Sequence, residues 1–309
     1  MHTLMNTPMN TSVNTSAHTF HKTISYQAFN LDSEQIKDSI EELIGVSTEG
    51  LIGPRQNLLL ASLPYSELNL WEHELELIDL KLGQILCEPG IKHTHVIFPT
   101  TAIVSLLYTT QDGTSSEVSV VGRDGVVGIS VFMGGNETPN QAIVQSAGQA
   151  YRLSAKMAKT IGSKNATLLP MLLSYTQIMI TQIGQTAVCN RHHTIDQQLC
   201  RRLLVGLDLS QDHDLIMTQE LLSSLLGVRR ESITTAALKL QEAGVISYAR
   251  GHIKVLNRYL LEQRCCECYA IVKKEHKRLM PPVSHAGTTV GGVRTVLKNT
   301  NHTVMWHRQ

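Results

Sequence analysis

The sequence predicts an α+β protein in which an antiparallel β-roll, a long helix and a winged helix-turn-helix follow one another. Between about residues 80 and 155, apolar residues alternate at a period near two and glycines interrupt the pattern. From about residue 163 the apolar spacing changes to threes and fours, which is typical of a helix. Two short helical patterns on either side of Gly227, followed by a strand pair, complete the series. We therefore expect a jelly-roll-like domain in the N-terminal half and a winged helix-turn-helix in the C-terminal half.

The composition is that of a globular protein, with 42% hydrophobic and 17% charged residues over 309 positions. The net charge is +1, so the chain as a whole favours neither nucleic acid nor an anionic membrane. The sequence has no run of about 18 apolar residues. Residues 1–18 lack the basic start and apolar core of a secretory signal. We therefore expect a cytoplasmic protein without a membrane partner.

Composition and period divide the chain into five segments. We expect residues 1–50, which are rich in Thr, Asn, Ser and His, and residues 279–309, which contain a Pro-Pro break, to be disordered tails. Between them we assign 51–162 to the β-roll, 163–193 to the long helix and its hinge, and 194–278 to the winged helix-turn-helix. In the β-roll, two β-branched runs flank QDGT at 111–114, which predicts a hairpin.

The long helix carries two neighbouring apolar stripes, one starting at Leu168 and the other at Leu169. Because one neighbour cannot cover so wide a face, we expect one stripe to pack on the β-roll and the other to pair with a second copy. A helix buried in a monomer is the alternative. The candidate dimer residues are Leu169, Leu172, Leu173, Tyr175, Thr176, Met179, Ile180, Ile183 and Thr186. A capping-box pattern at Thr194 predicts that a new helix begins there and runs to about Leu209.

Residues 217–256 contain the most informative pattern. Thr218 can cap a short helix that Gly227 ends, and a second helix follows and ends near Gly244. Two short helices with a glycine-containing turn form a helix-turn-helix. We expect the second helix to bury four apolar residues, which are Ile233, Ala237, Leu238 and Leu240.

The exposed start of this second helix suits a DNA major groove. Arg229 and Arg230 can donate to guanine, and Glu231 can accept from cytosine. Residues 245–255 predict a β-hairpin wing, which places Arg250, His252 and Lys254 where phosphates could be contacted. Residues 215–280 contain 11 Lys and Arg residues against 6 Asp and Glu residues, a net charge of +5. A basic module in a neutral chain favours nucleic acid as the partner.

This order of elements resembles the Crp/Fnr family of bacterial transcription regulators over roughly residues 55–278. The most specific segments are MTQELL at 217–222 and LGVRRESIT at 226–234. Residues 83–90 and GRDGVVG at 122–128 look like the glycine turns of the family's sensor β-roll. The resemblance implies a homodimer that binds a two-fold symmetric site in double-stranded DNA, with RNA polymerase as a further candidate partner.

The resemblance also implies roles for single residues. Arg230 and Glu231 would read bases, and Arg229 and Thr235 are further candidates for base contacts. Arg229 could instead contact a phosphate. Family members commonly carry an Arg where this chain has Thr235, so their half-site cannot be carried over. The candidate contacts to the DNA backbone are Thr218, Gln219, Glu220, Ser232, Thr234, Arg250, His252 and Lys254.

The sensor end departs from two known modes of the family. Cyclic-nucleotide binders use a Gly-Glu pair and a later Arg, whereas here Gly128 precedes Ile129 and residues 138–142 contain no Arg. Iron–sulfur members use cysteines near the N-terminus, and residues 1–86 contain none. The resemblance therefore leaves the controlling signal, at the β-roll or the hinge, unidentified.

Two groups of possible metal ligands occur near the hinge and in the last helix. On a continuous helix Cys189, His192 and His193 would share a face near Cys200, so zinc or haem iron is one hypothesis and structural histidines are the other. Cys265, Cys266 and Cys268 fall in a helix expected over about 260–278, where successive side chains diverge. We therefore expect core packing there, and redox sensing is the alternative.

No known catalytic motif occurs, and we assign no catalytic residue, metal site or cofactor. The function predicted is a dimeric, sequence-specific DNA-binding transcription regulator that is not an enzyme. The alternative is a small-molecule-binding or metal- or haem-binding signalling module that acts through protein partners.

Overall fold

A computed structural model describes residues 53–210 and 214–280, so the two predicted tails lie almost entirely outside the described residues. The helices are α1 (Leu58–Ala61), α2 (Tyr65–Leu68), α3 (Ala155–Lys164), α4 (Leu168–His192), α5 (Ile195–Leu209), α6 (Gln219–Leu226), α7 (Arg230–Glu242), α8 (Arg258–Arg264) and α9 (Glu267–Leu279). The strands are β1 (Glu76–Leu80), β2 (Ile85–Cys87), β3 (His95–Pro99), β4 (Ile103–Thr109), β5 (Ser115–Val121), β6 (Gln141–Ser146), β7 (Gly148–Ser154), β8 (Asp214–Ile216), β9 (Ile246–Ala249) and β10 (His252–Val255).

The chain divides into two units between Gln56 and Asn57. The described part of the first unit is a 3-10 turn at Pro54–Gln56 with the glycine before it. All helices and strands named above belong to the second unit. Over the described residues, no helix is both long enough and apolar enough to cross a membrane.

The predicted β-roll is confirmed as two antiparallel sheets. One has the order β1-β7-β3 and the other β2-β6-β4-β5. Their facing side chains form an aliphatic core that includes Val104, Val121 and Val144. The hairpin predicted at 111–114 joins β4 to β5, where the Thr110 N–H donates to the Thr114 carbonyl at 2.8 Å.

Helix α4 buries one side and exposes another, as its two stripes predict. Leu168, Leu172 and Tyr175 pack into a core shared with the β-roll and α3. The exposed side carries Leu169, Leu173, Ile180 and Ile183. Three of the nine predicted dimer residues are therefore misplaced: Leu172, Tyr175 and Thr186 are buried within the chain, because they lie on the side of α4 that faces its own protomer.

The C-terminal module has the predicted winged helix-turn-helix order, β8-α6-α7-β9-β10, with sheet order β8-β10-β9. Two local expectations are wrong. Leu238 is 52% exposed, because Ala236 rather than Leu238 completes the buried face of α7. The single late helix is two helices, because Cys265 and Cys266 both have extended backbone and separate α8 from α9.

Candidate nucleic-acid interface

The helix-turn-helix is fixed by local signals at each end of α6. The Thr218 hydroxyl accepts a hydrogen bond from the Leu221 N–H at 3.1 Å and caps the helix. Gly227 ends α6 with φ of 64°, a left-handed conformation that costs glycine little. The turn through Val228 and Arg229 then starts α7 at Arg230.

The core beneath the two helices determines which side of α7 faces outward. Leu222 of α6 and Ile233 and Leu240 of α7 are buried in one cluster with Leu199 and Leu203 of α5. Because these apolar residues fix the rotation of α7, its opposite side must face solvent. The orientation of the predicted base-reading residues thus follows from packing inside the module.

The recognition face, defined as Arg229, Arg230, Glu231 and Thr235, is exposed throughout. The Arg230 side chain is 64% exposed, and its Nη1 lies 3.9 Å from Oε2 of Glu220. A bridge this long and this exposed is weak, so Arg230 remains free to exchange Glu220 for another acceptor. The Thr235 hydroxyl donates to the Glu231 carbonyl at 2.9 Å and keeps its acceptor lone pairs.

A cavity of about 310 Å³ adjoins Arg230 between the start of α6 and the wing. This wing groove is lined by Thr218, Gln219, Glu220, Arg230, Tyr248, Arg250 and Gly251. Arg250 lies in the wing turn with φ of 50°. Two arginines at one groove suit a phosphate, which Arg binds in a forked geometry. Tyr248 also lines the groove, although no sequence pattern predicts it there, and its hydroxyl donates to the Met217 carbonyl at 3.1 Å.

The remaining four predicted backbone contacts do not line this groove. His252 and Lys254 flank the buried Ile253 on β10, so they lie on the outer face of the wing sheet, away from the helices. The Thr234 hydroxyl lies 2.9 Å from Oε1 of Gln219 and is half-buried, as is Ser232. The structure thus brings Thr218, Gln219, Glu220 and Arg250 together with Arg230. Ser232 and Thr234 lie on α7 next to this group, and His252 and Lys254 are separated from it.

A buried polar network joins the winged module to the β-roll. Arg202 of α5 places Nε 2.8 Å from Oε1 of Glu117 on β5, and both side chains are at least 90% buried. Ser105 donates to the other Glu117 oxygen at 2.5 Å, and Arg202 also donates to Gln145. The first helix of the helix-turn-helix continues this contact, since Ser224 and Ser115 hydroxyls lie 2.9 Å apart. No sequence pattern predicts this ion pair, because Glu117 and Arg202 lie 85 residues apart in the chain.

Helix α9 adds a second contact with the β-roll. Nε2 of His276 lies 3.2 Å from Oδ2 of Asp124, and this carboxylate raises the pKa of His276 against the opposing effect of burial. A cavity of about 450 Å³ lies between the β-roll, α4, α5 and α9, with largely apolar walls. Its charged lining residues are Arg123, Asp124, Arg201, Asp208, Lys273, His276 and Lys277.

The structure also assembles a group of metal-ligand side chains at the hinge. Ligand atoms of Cys189, His193, Cys266 and Cys268 all lie within 4.8 Å of one another. The set differs from the one considered in the sequence, because His192 is exposed and Cys200 packs in the helix-turn-helix core. Burial raises the pKa of Cys189 to about 12 and of Cys268 to about 11.

Comparison with known proteins supports the winged module and the fold. Residues 197–264 match the model of the Crp-like helix-turn-helix domain. No match was found among curated proteins.

Solved structures align over most of their own length at low sequence identity. FixK2 from Bradyrhizobium japonicum aligns with a TM-score of 0.55 and 13% identity, over 62% of this chain and 98% of that one. A transcriptional regulator of the CRP family from Thermus thermophilus, TTHB099, gives 0.51 and 14%, over 60% and 95%. The c-di-GMP-responsive global regulator CLP from Xanthomonas campestris gives 0.50 and 12%, over 63% and 100%. The chain therefore contains a Crp-like helix-turn-helix domain and has the fold of the Crp/Fnr-family transcription regulators.

Proposed function

We propose that the protein is a homodimeric, sequence-specific DNA-binding transcription regulator. The observation that carries this proposal is the recognition face, where two arginines and a glutamate are exposed on the first turn of α7. These side chains combine the donors and acceptor that read G·C pairs in a major groove, and the core of the module fixes their direction. The net charge of +5 over residues 215–280 supplies attraction to phosphate.

The wing groove supports a backbone contact beside the base-reading contact. Arg230 and Arg250 line it together with the exposed hydroxyl-bearing Thr218. A phosphate in this groove would replace Glu220 as the partner of Arg230. The present bridge is weak, since Nη1 of Arg230 lies 3.9 Å from Oε2 of Glu220. DNA binding would then couple the wing to the start of the recognition helix.

The exposed stripe of α4 supports the dimer. Leu173 is 56% exposed and Ile180 is 65% exposed, with Leu169 and Ile183 on the same side. Apolar residues at this spacing suit pairing with a second copy of the helix. A two-fold axis along α4 would present two recognition faces to a two-fold symmetric DNA site.

The test is selection of bound duplexes from a random-sequence DNA pool by the full-length chain, compared with two charge-reversed variants. We expect a two-fold symmetric consensus and at least about a tenfold loss of affinity for it in Arg230→Glu, because a bidentate base contact is removed. Lys156→Glu is the matched control, since Lys156 is an exposed cation on α3, outside the winged module. Equal affinity of Arg230→Glu and the wild type for the consensus would contradict the role assigned to Arg230.

We place the controlling signal at the cavity between the β-roll, α4, α5 and α9. A ligand there would contact the β-roll and all three helices, and so could change how the winged module is oriented. Arg201 offers such a ligand a buried Nε that has no hydrogen-bond partner among the described residues. The test adds the small-molecule filtrate of a cell extract to the DNA-binding assay. We expect it to change the affinity of the wild type but not of Val272→Trp, which fills the cavity. An unchanged DNA affinity of the wild type would contradict this placement of the signal, but it would not contradict the proposed DNA-binding function.

A further inference from the structure

The strongest unassigned feature is the group of three cysteines and one histidine at the hinge. We propose that Cys189, His193, Cys266 and Cys268 form a mononuclear, four-coordinate metal site that selects zinc. Three thiolates and one imidazole are a common ligand set of structural zinc. The proposal does not depend on the DNA-binding function, because it concerns only these four side chains and their surroundings.

The spacing of the ligand atoms suits a tetrahedral ion. The Sγ atoms of Cys189 and Cys266 lie 3.6 Å apart, and Sγ of Cys268 lies 3.6 Å from Nδ1 of His193. With zinc–sulfur bonds of about 2.3 Å and zinc–nitrogen bonds of about 2.0 Å, the edges of a tetrahedron are about 3.5–3.8 Å long. The observed separations therefore match two of these edges. An iron–sulfur cluster has several irons between its ligands and needs wider separations.

The orientation of His193 also suits a metal ligand. Its Nδ1 points to Cys268, while its Nε2 lies 3.3 Å from Oε1 of Glu267. A carboxylate on one ring nitrogen holds the proton there and leaves the lone pair of the other nitrogen for a metal. This pairing of histidine with an outer carboxylate is typical of metal-bound histidines.

The backbone places all four ligands by means of two helix ends. Helix α4 contributes Cys189 in its last turn, and His193 caps its C-terminal end, where the His193 N–H donates to the Cys189 carbonyl at 3.0 Å. Cys266 occupies the position just before α9, and Cys268 follows in the first turn of that helix. The break between α8 and α9 frees Cys266 from helical geometry, so it can converge with Cys268.

The surroundings support a closed site. Cys189 and Cys268 are fully buried and Cys266 is 5% exposed, so four protein ligands leave no open position for substrate. Three thiolates and a divalent ion carry one net negative charge. The positive charge of Arg201 would interact favourably with the thiolates of Cys189 and Cys268. The amide of Gln198 donates to the His193 carbonyl at 2.9 Å and steadies the loop that carries it.

Such a site would tie the end of the long helix to the start of the last helix across the hinge at His193 and Thr194. Because α5, the first helix of the winged module, begins at that hinge, the metal would fix the direction in which the module is held. Its role would be structural, and its removal would lower stability and loosen the hinge.

The test is the metal content of the full-length chain, purified under reducing conditions from zinc-supplemented cells and measured by mass spectrometry of the elements. We expect one zinc per chain in the wild type and in Cys87→Ser, whose cysteine lies on β2 of the β-roll. Cys268→Ser and His193→Ala should lose the zinc, whereas His193→Cys should keep it. Glu267→Gln should weaken zinc binding about 10–100-fold, as measured by competition with a chromophoric chelator.

A second measurement keeps the test valid if a ligand variant does not fold. Zinc is removed from the folded wild type with a chelator and replaced by Co²⁺, which should give the absorption bands of a tetrahedral, thiolate-bound ion. Wild-type protein that holds neither zinc nor Co²⁺ would overturn the proposal. So would iron with sulfide in place of zinc, or zinc retained in full by Cys268→Ser.

Discussion

At the scale of single residues, the ion pair between Glu117 and Arg202 has the largest expected energetic consequence. Both side chains are buried, Ser105 donates a hydrogen bond to Glu117, and Arg202 donates one to Gln145. Removing one partner leaves an unpaired buried charge, which costs about 3–5 kcal/mol. We expect Glu117→Ala to lower the free energy of unfolding by that amount in urea denaturation.

The double variant separates charge pairing from packing. Glu117→Leu with Arg202→Met replaces both charges by apolar groups of similar volume, which should cost much less than either single change. The contrary result is a double variant that loses as much unfolding free energy as the two single variants lose together. That result would show that the ion pair is not what stabilises this contact.

Gly227 supports a second prediction, because its φ of 64° lies where side chains are disfavoured. An added Cβ would lie 3.5 Å from Cβ of Ser116, which is an ordinary contact, so the cost is conformational rather than steric. Gly227→Ala should therefore reduce the free energy of unfolding by about 1 kcal/mol. Gly227→Asn should cost less, since Asn tolerates this conformation; equal losses for Ala and Asn would argue against a conformational cause.

Local spacing in the sequence predicts the structural role of several residues in the winged module. Thr218, Gly227 and Arg230 were placed correctly at a cap, a helix end and the first exposed turn, because each signal lies within a few residues of its effect. The pairing of Glu117 with Arg202 depends on contact between positions 85 residues apart, which no local pattern encodes.

At the scale of elements, the break between α8 and α9 shows why the ligand cluster was missed. Residues 258–279 contain neither Gly nor Pro, so the sequence predicts one continuous helix. The chain instead extends at Cys265 and Cys266, and Asn257 caps α8 through the Leu260 N–H at 3.0 Å. The expectation that the cysteines diverge was wrong because it depended on an unbroken helix.

The contact between α9 and the β-roll should depend on pH through His276. Asp124 raises the pKa of His276 in the folded chain, and Lys273 and Lys277 of α9 and Arg123 of the β-roll line the same cavity. Because the pKa of His276 is higher in the folded chain than in the unfolded chain, protonation of His276 stabilises the fold. This contribution is complete below the unfolded-state pKa of about 6.5, and it is lost as the pH rises through the folded-state pKa.

The wild type should therefore lose more thermal stability than His276→Gln as the pH is raised from the acid side through neutrality. Melting temperatures of both proteins over this interval, at constant ionic strength, test the prediction. Asp124→Asn is the matched control, and it should remove the same pH dependence. Parallel curves for the wild type and His276→Gln would contradict the assignment.

At the scale of the whole molecule, the two stripes of α4 predict which side of the helix would pair with a second copy. At about 100° per residue, Leu169, Leu173, Thr176, Ile180 and Ile183 fall within about 40° of one line along the helix. The buried residues of α4 lie on a neighbouring side and contact the β-roll. The sequence predicted that two neighbours were needed, but spacing alone could not say which stripe faced which neighbour, so Leu172, Tyr175 and Thr186 were assigned to the wrong one.

A charge in the exposed stripe should therefore separate the dimer. We expect Ile180→Glu to sediment as a monomer at concentrations where the wild type sediments as a dimer, because the carboxylate would be buried opposite its own copy. Pro170→Glu is the matched control, since Pro170 is exposed in the first turn of α4 but about 100° away from Leu169. Since Ile180 is 65% exposed in the single chain, the monomeric variant should keep its fold and its far-UV circular dichroism.

The affinity of the Ile180→Glu variant for a two-fold symmetric DNA site should fall toward that for a half-site, because the two recognition faces then bind independently. A wild type that sediments as a monomer, or an Ile180→Glu variant that remains a dimer, would show that this stripe is not the seam.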